Sequence, residues 1–268
     1  MKPLPGRLVL LGHPVRHSLS PAFQNAALRS AALPLRYEAL DVPPAALDDT
    51  LGELIAASAA GNVTIPHKER VAARCTRLTP LASRVGAVNT FWVDHGELHG
   101  DNTDVGGFQE ALAVAAPNAD PAAPVTVLGA GGAAAAVLVA LEHEEFADVR
   151  LHARTRARAA ALAERFPAVR AVDGIDAALR GSQLVVNATP VGLDGKTVAF
   201  DLTLLEPGAI VLDLVFGPNA TPLVRAARER GHLADDGLEM LLAQGALAFE
   251  RWFGITPDRS AMREAVAR

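Results

Sequence analysis

The sequence predicts a two-domain α/β protein whose strands run largely parallel. Three observations carry that reading. Short apolar runs alternate with longer stretches of helical periodicity along most of the chain. One of these runs passes directly into a glycine-rich turn and an apolar helix. At 268 residues the chain also exceeds the length that one core usually organises.

Taken in order, Arg7 to Gly12 reads as the first strand. Ser20 and Pro21 then supply an N-cap and a first-turn proline for a helix ending near Ala31. Further strands fit Arg36 to Val42, Asn62 to Ile65 and Ala87 to Val93, and Asp94-His95-Gly96 reads as a hairpin turn into Glu97 to Gly100. After the turn-rich stretch Pro117 to Pro124 comes a second series, at Val125 to Leu128, Val149 to Ala153, Leu184 to Asn187 and Ala209 to Leu214, with helices between. From Gly237 onward two helical patterns, Leu238 to Phe253 and Pro257 to Ala267, have no strand to follow them.

Half of the residues are apolar and 21% are charged, a balance suited to a packed core rather than to disorder. A net charge of -5 gives no broad positive field for nucleic acid or an anionic membrane, so small metabolites are the expected partners. The single cysteine, Cys75, excludes an internal disulfide and offers no zinc-ligand spacing, and reads as a small apolar filler. The N-terminal apolar run is broken by Gly12, His13 and Pro14, too short for a signal peptide, and no segment reaches the ~20 apolar residues of a membrane span. A cytoplasmic location is the resulting expectation.

The second series carries the clearest chemical signal. Val125 to Leu128 runs into Gly129-Ala130-Gly131-Gly132-Ala133-Ala134, followed by the apolar helix pattern Ala135 to Leu141. Gly129 permits the turn, Gly131 lets the backbone approach a pyrophosphate, and Ala134 is small enough for close helix packing. The helix start offers unpaired N–H groups to the anion. The next strand ends in Ala153-Arg154-Thr155-Arg156-Ala157-Arg158, about 20 residues beyond the turn, where an NAD site would place Asp or Glu on the ribose. Arginine there suits the 2′-phosphate of NADP through a charge-assisted contact.

The first series holds polar clusters at strand ends and helix starts: His17-Ser18-Leu19-Ser20-Pro21, Asn62-Val63-Thr64-Ile65-Pro66-His67-Lys68, Gly86-Ala87-Val88-Asn89-Thr90 and Gly100-Asp101-Asn102-Thr103-Asp104. Lys68 departs from the chain's own habit, because only three lysines occur, Lys2, Lys68 and Lys196, where arginine is used freely. A lysine can shuttle a proton that an arginine, protonated below about pH 12, cannot release. His13, His17 and His67 share no helical face, and no Cys or carboxylate completes a ligand set with them, so no metal is expected.

Together with Asn187-Ala188-Thr189-Pro190, Gly192, Asp236-Gly237-Leu238, Met240 and Gln244, these clusters resemble the shikimate dehydrogenase family over nearly the whole chain. The resemblance implies an N-terminal α/β substrate domain, residues 1–104, rejoined by C-terminal helices 238–268, and a Rossmann-type, doubly wound NADP domain, residues 105–237. It implies hydride transfer between NADP and a ring hydroxyl, interconverting 3-dehydroshikimate and shikimate on the way to chorismate and the aromatic amino acids. Ser18 and Ser20 are implied to hold the substrate carboxylate, and Thr64, Asn89, Asp104 and Gln244 the ring hydroxyls. Gly129, Ala130, Gly131, Gly132, Ala133, Arg154, Thr155, Arg158, Thr189, Leu214 and Gly237 are the implied cofactor residues.

Oxidising an alcohol by hydride loss requires a proton acceptor within hydrogen-bond reach of the oxygen, and Lys68 is the family's candidate. A carboxylate beside an ammonium favours its charged form, so Asp104 fits a positioning role, although either member of the pair can carry the proton on this reading. Three positions depart from the family pattern. Ala153 replaces an asparagine that would face the adenosine ribose. Phe216, implied to line the substrate, replaces a tyrosine, and His67 stands where an aromatic or apolar residue is frequent. The rival readings are a dehydrogenase of quinate or another shikimate-like acid, and a non-catalytic NADP-binding sensor. A monomer or homodimer fits any of them.

Overall fold

A computed structural model describes residues 3–217 and 219–267. Contacts divide the chain into two compact units, Met1–Gly107 with Leu241–Arg268, and Phe108–Met240. The chain passes from one unit to the other inside helices, first α5 (Asp104–Ala115) and later α10 (Leu238–Phe253), not at the turn-rich stretch before Val125.

The first unit is built on a six-stranded sheet. In chain order its strands are β1 (Leu8–Gly12), β2 (Tyr37–Asp41), β3 (Ala60–Val63), β4 (Arg77–Leu78), β5 (Thr90–Asp94) and β6 (Glu97–Asp101), and across the sheet the order is β2-β1-β3-β5-β6-β4. The sheet is mixed, not parallel throughout. β1 pairs in parallel with β2 and β3, whereas β5 runs antiparallel to both β3 and β6. The predicted hairpin turn sets β6 antiparallel to β5: His95 (φ 49°) and Gly96 (φ 76°) are both left-handed, as a two-residue turn between twisted strands requires. Val9, Leu11, Leu47, Leu54, Val71 and Phe91 fill one core face, and each is inaccessible to solvent. Burying side chains of that size contributes ~1.5–3 kcal/mol apiece before entropy is counted. Cys75 packs at the margin of this core as a filler, and burial pushes its thiol up to about 12.

Several expected boundaries move, each for a local reason. β3 begins at Ala60 and stops at Val63, because Pro66 has no N–H to continue a ladder whose last donor is the Thr64 N–H to Leu11. β5 begins at Thr90 rather than Ala87, since the Ala87 carbonyl accepts from the Asn102 side chain and the Val88 N–H donates to the Lys68 carbonyl. Ser20 is not the N-cap of α1 (Ser20–Ser30). Leu19 holds that position without a side-chain cap, and the backbone N–H of Ser20 instead donates to Ser18 Oγ at 3.2 Å.

The second unit is a sheet of six strands, β7 (Val125–Leu128), β8 (Val149–His152), β9 (Val169–Ala171), β10 (Leu184–Asn187), β11 (Ile210–Asp213) and β12 (Leu233–Asp236). The order is β12-β11-β10-β7-β8-β9 with every pair parallel, the doubly wound arrangement whose direction reverses between β7 and β10. β7 and β10 are buried along their whole length, as central strands covered on both faces must be. β4, β9 and β12 were not foreseen as strands. They are two to four residues long, and β12 is half acidic.

Candidate active site

In the first unit, Thr64, Lys68, Asn89 and Asp104 gather at one end of the sheet's interior strands. Thr64 follows the C-terminal end of β3, Asn89 precedes the antiparallel β5, and Asn102 to Asp104 follow β6, so all three segments lie at the same end of the strands. Lys68 begins α3 (Lys68–Ala72) there, with its backbone carbonyl accepting from Val88 N–H at 3.0 Å. Its Nζ donates to Asp104 Oδ2 at 2.6 Å, and the two side chains are only 16% and 6% exposed. A lysine–aspartate pair at this depth is held by further hydrogen bonds. Asn89 Nδ2 donates to Asp104 Oδ1 at 2.7 Å, and Asn89 Oδ1 accepts from the Thr103 N–H at 2.7 Å. From α10, Gln244 brings its Oε1 to 3.2 Å from Asn89 Nδ2.

Ser18, half-buried, lies between β1 and α1, and Ser20, buried, is the first residue of α1. Thr64, half-buried, faces the end of β1 so closely that a Cβ at Gly12 would collide with its methyl group. The histidines do other work. His67 is buried and pairs its Nε2 with the Val42 carbonyl at 2.7 Å, His13 Nδ1 meets Asp41 at 2.8 Å, and His17 is exposed. Among the described residues no group of three His, Cys, Asp or Glu is arranged to hold a metal.

In the second unit, the glycine turn sits at the sheet's reversal point. Gly129 has φ +114°, and a Cβ on it would press on the Ala188 carbonyl at 2.8 Å, so no side chain fits there. Gly131 is the N-cap of α6 (Gly132–His143), and a Cβ placed on it would meet nothing within 4 Å. Ala130 to Ala133 are half-exposed while Ala134 to Leu141 are buried, so the backbone of the first helical turn borders open space. That combination suits an approaching pyrophosphate.

Beyond β8, Arg154 and Arg156 line a cavity of 190 Å³. Thr155 is the N-cap of α7 (Arg156–Ala163) and is exposed, and Arg158 is exposed outside that lining. Beyond β10, the Thr189 hydroxyl is turned inward, donating to Asn187 Oδ1 at 2.6 Å. Leu214 and Phe216, both half-buried, follow β11, and Gly237 lies so close to the Leu214 carbonyl that any side chain would collide with it.

Comparison with known proteins meets this geometry. Residues 10–91 match the shikimate dehydrogenase substrate binding domain, 114–192 the shikimate / quinate 5-dehydrogenase family and 237–267 the shikimate 5′-dehydrogenase C-terminal domain. The shikimate dehydrogenase (NADP(+)) of Mesorhizobium japonicum is 44% identical over 264 residues, covering 95% of this chain and 93% of that one. The enzyme of the same name from Thermus thermophilus is 46% identical over 263 residues, 98% of each. The chain belongs to the shikimate dehydrogenase family. A solved structure of the Thermus thermophilus shikimate 5-dehydrogenase, in complex with NADP(H) and shikimate, superposes with a TM-score of 0.87 at 43% identity, over 97% of both chains.

Beside the residues read from family motifs, the structure adds others. Asn102 is fully buried, accepting from the Asp104 N–H at 3.0 Å and donating to the Ala87 carbonyl at 2.8 Å, so it fixes the backbone on both sides of the Lys68 pair. Asp213 accepts from Asn187 Nδ2 (2.8 Å), the Val215 N–H (3.1 Å) and the Thr221 hydroxyl (2.6 Å), and so braces the loops after β10 and β11. Burial raises its carboxyl above the ordinary range despite these three donors. A side chain that holds a loop from within leaves no periodic or spacing signal, which is why the sequence assigns no role to Asp213, or to Asn102 within its polar cluster.

Proposed function

We propose that this chain catalyses the NADP-dependent interconversion of shikimate and 3-dehydroshikimate. The observation that carries the proposal is the Lys68–Asp104 pair, nearly buried at 2.6 Å and flanked by the amides of Asn89 and Gln244. We read residues 1–104 with 238–268 as the substrate-binding part and 105–237 as the NADP-binding part, a division that the two compact units support. When bound, the nicotinamide gives or takes the hydride. The chain's own residues supply positioning and the proton. Lys68 Nζ, as the free amine, takes the hydroxyl proton as shikimate is oxidised and returns it in the reverse reaction, while Asp104 holds the amine in place and accepts from a neighbouring ring hydroxyl. Thr64, Asn89 and Gln244 fix the ring hydroxyls, and Ser18 and Ser20 donate to the substrate carboxylate near the start of α1, whose dipole favours an anion.

The NADP-binding residues are Gly129 to Ala133, Arg154, Thr155, Arg158, Thr189, Leu214 and Gly237. The open space at Gly131 and the arginine-lined cavity fit a pyrophosphate and a 2′-phosphate. No described helix is long and apolar enough to cross a membrane. With a net charge of -5, we read the enzyme as a cytoplasmic monomer or homodimer acting on small metabolites and not on nucleic acid.

The test is a matrix of initial rates with shikimate or quinate as the alcohol and NADP or NAD as the oxidant. The pair of shikimate and NADP should give the highest kcat/KM, and a preference for quinate would replace the substrate in this reading. Phe216 bears on the same choice, because phenylalanine keeps the aromatic wall but lacks the tyrosine's donor to the carboxylate. A well-made hydrogen bond to a charged group contributes about 1.5–3 kcal/mol, part of which water recovers. Phe216→Tyr is therefore expected to lower the KM for shikimate several-fold and leave the KM for NADP nearly unchanged. A clear fall in kcat/KM for shikimate would mean that Phe216 is fitted to another substrate.

A further inference from the structure

β8 and β9 are parallel neighbours, so the segments leaving their C-terminal ends emerge side by side in the second unit. Arg154 and Arg156 come from the first segment, Asp173 from the second, and all three line the 190 Å³ cavity. Arg156 Nη2 lies 2.8 Å from Asp173 Oδ2, with side chains 80% and 60% exposed. Among the described residues Arg154 has no ion-pair partner. Ala153 brings no polar side-chain atom to the lining, and His152 engages its Nδ1 with the Val172 carbonyl at 3.0 Å, so Arg154 and Arg156 are the guanidinium groups that the cavity offers. An exposed Arg–Asp pair contributes little and exchanges readily. A phosphate monoester carries more charge and more acceptor oxygens than a carboxylate, and competes well for a guanidinium.

We propose that Arg156 is a second arginine reading the 2′-phosphate of NADP beside Arg154, and that Asp173 is its resting counter-ion, which the phosphate displaces. Arg158, the position that the family motif nominates, stands outside the cavity lining. The charge of Asp173 then sets how strongly a 2′-phosphorylated adenosine is preferred over a plain one. This inference rests on the NADP reading of the second unit and deepens it.

The experiment is calorimetric titration of the full-length protein with adenosine 2′,5′-bisphosphate and with adenosine 5′-monophosphate at one fixed ionic strength, which reads binding without turnover. Both side chains are exposed, so their replacement leaves the fold intact. Wild-type protein should prefer the bisphosphate. Arg156→Ala should weaken the bisphosphate about 10-fold, the lower end expected for a charge-assisted contact at an exposed site, and leave the monophosphate unchanged. Asp173→Asn should strengthen the bisphosphate about 3-fold by removing a screened like charge. Unchanged bisphosphate affinity in Arg156→Ala, equal loss for both ligands, or weaker bisphosphate binding in Asp173→Asn would overturn the inference. A wild-type protein without preference would overturn the NADP reading itself.

Discussion

Lys68→Ala is expected to lower kcat by about 10² to 10⁴, the loss typical of a missing general acid or base, with a much smaller change in the KM for NADP. The expectation follows from where the amine sits. Nζ is 2.6 Å from a nearly buried carboxylate at the strand ends where Thr64 and Asn89 also lie, and the side chain is mostly shielded from water that would replace it. A second substitution separates proton transfer from charge. Lys68→Arg keeps a cation for Asp104, but a guanidinium does not give up its proton near neutral pH. It should therefore be almost as slow as alanine. A Lys68→Arg enzyme with wild-type kcat would mean that the positive charge, and not the proton, is what the site needs.

Asp104→Asn is expected to raise the KM for shikimate and lower kcat, each by about 10-fold or more, on the basis of about 1.5–3 kcal/mol per hydrogen bond to a charged group. Both carboxylate oxygens are used, Oδ2 by Lys68 and Oδ1 by Asn89 Nδ2. An amide in their place turns an NH2 group toward one of these donors, so the network loses a contact whichever way the side chain flips. Leaving the ammonium nearly buried without its anion is also costly, and urea denaturation should show lower stability. A variant that lost kcat but kept its KM for shikimate would confine Asp104 to holding Lys68 and remove it from substrate binding.

The parts of the fold that were legible are those in which one physical cause dominates. β7 and β10 fall where continuous apolar runs place them, because central strands of a parallel sheet are covered on both faces. α10 keeps the bounds read from its periodicity, Leu238–Phe253. Where side chains compete with the backbone, the reading drifted. Asn102 draws Ala87 out of β5, and Ser18 rather than Ser20 serves the start of α1. β12 hid because Leu-Ala-Asp-Asp lacks a strand's composition, and its pairing with β11 is a tertiary fact.

The candidate site divides in the same way. Lys68 stood out by composition and the Gly129 turn by its local geometry. The approach of Gln244 to Asn89, 155 residues apart, has no local signature and came from family resemblance alone. Arg156 and Asp173 pair only because parallel strands bring distant loop starts together, a juxtaposition that spacing along the chain does not show.

The most direct measurement is the absorbance of NADPH in the presence of purified protein and 3-dehydroshikimate, run beside the Lys68→Ala variant. Wild-type protein should oxidise NADPH only when the keto acid is added and should yield shikimate in equal amount, and the variant should be slower by about 10² or more. No oxidation above background with the wild-type protein would contradict the account, and the same rate in both proteins would remove Lys68 from its centre.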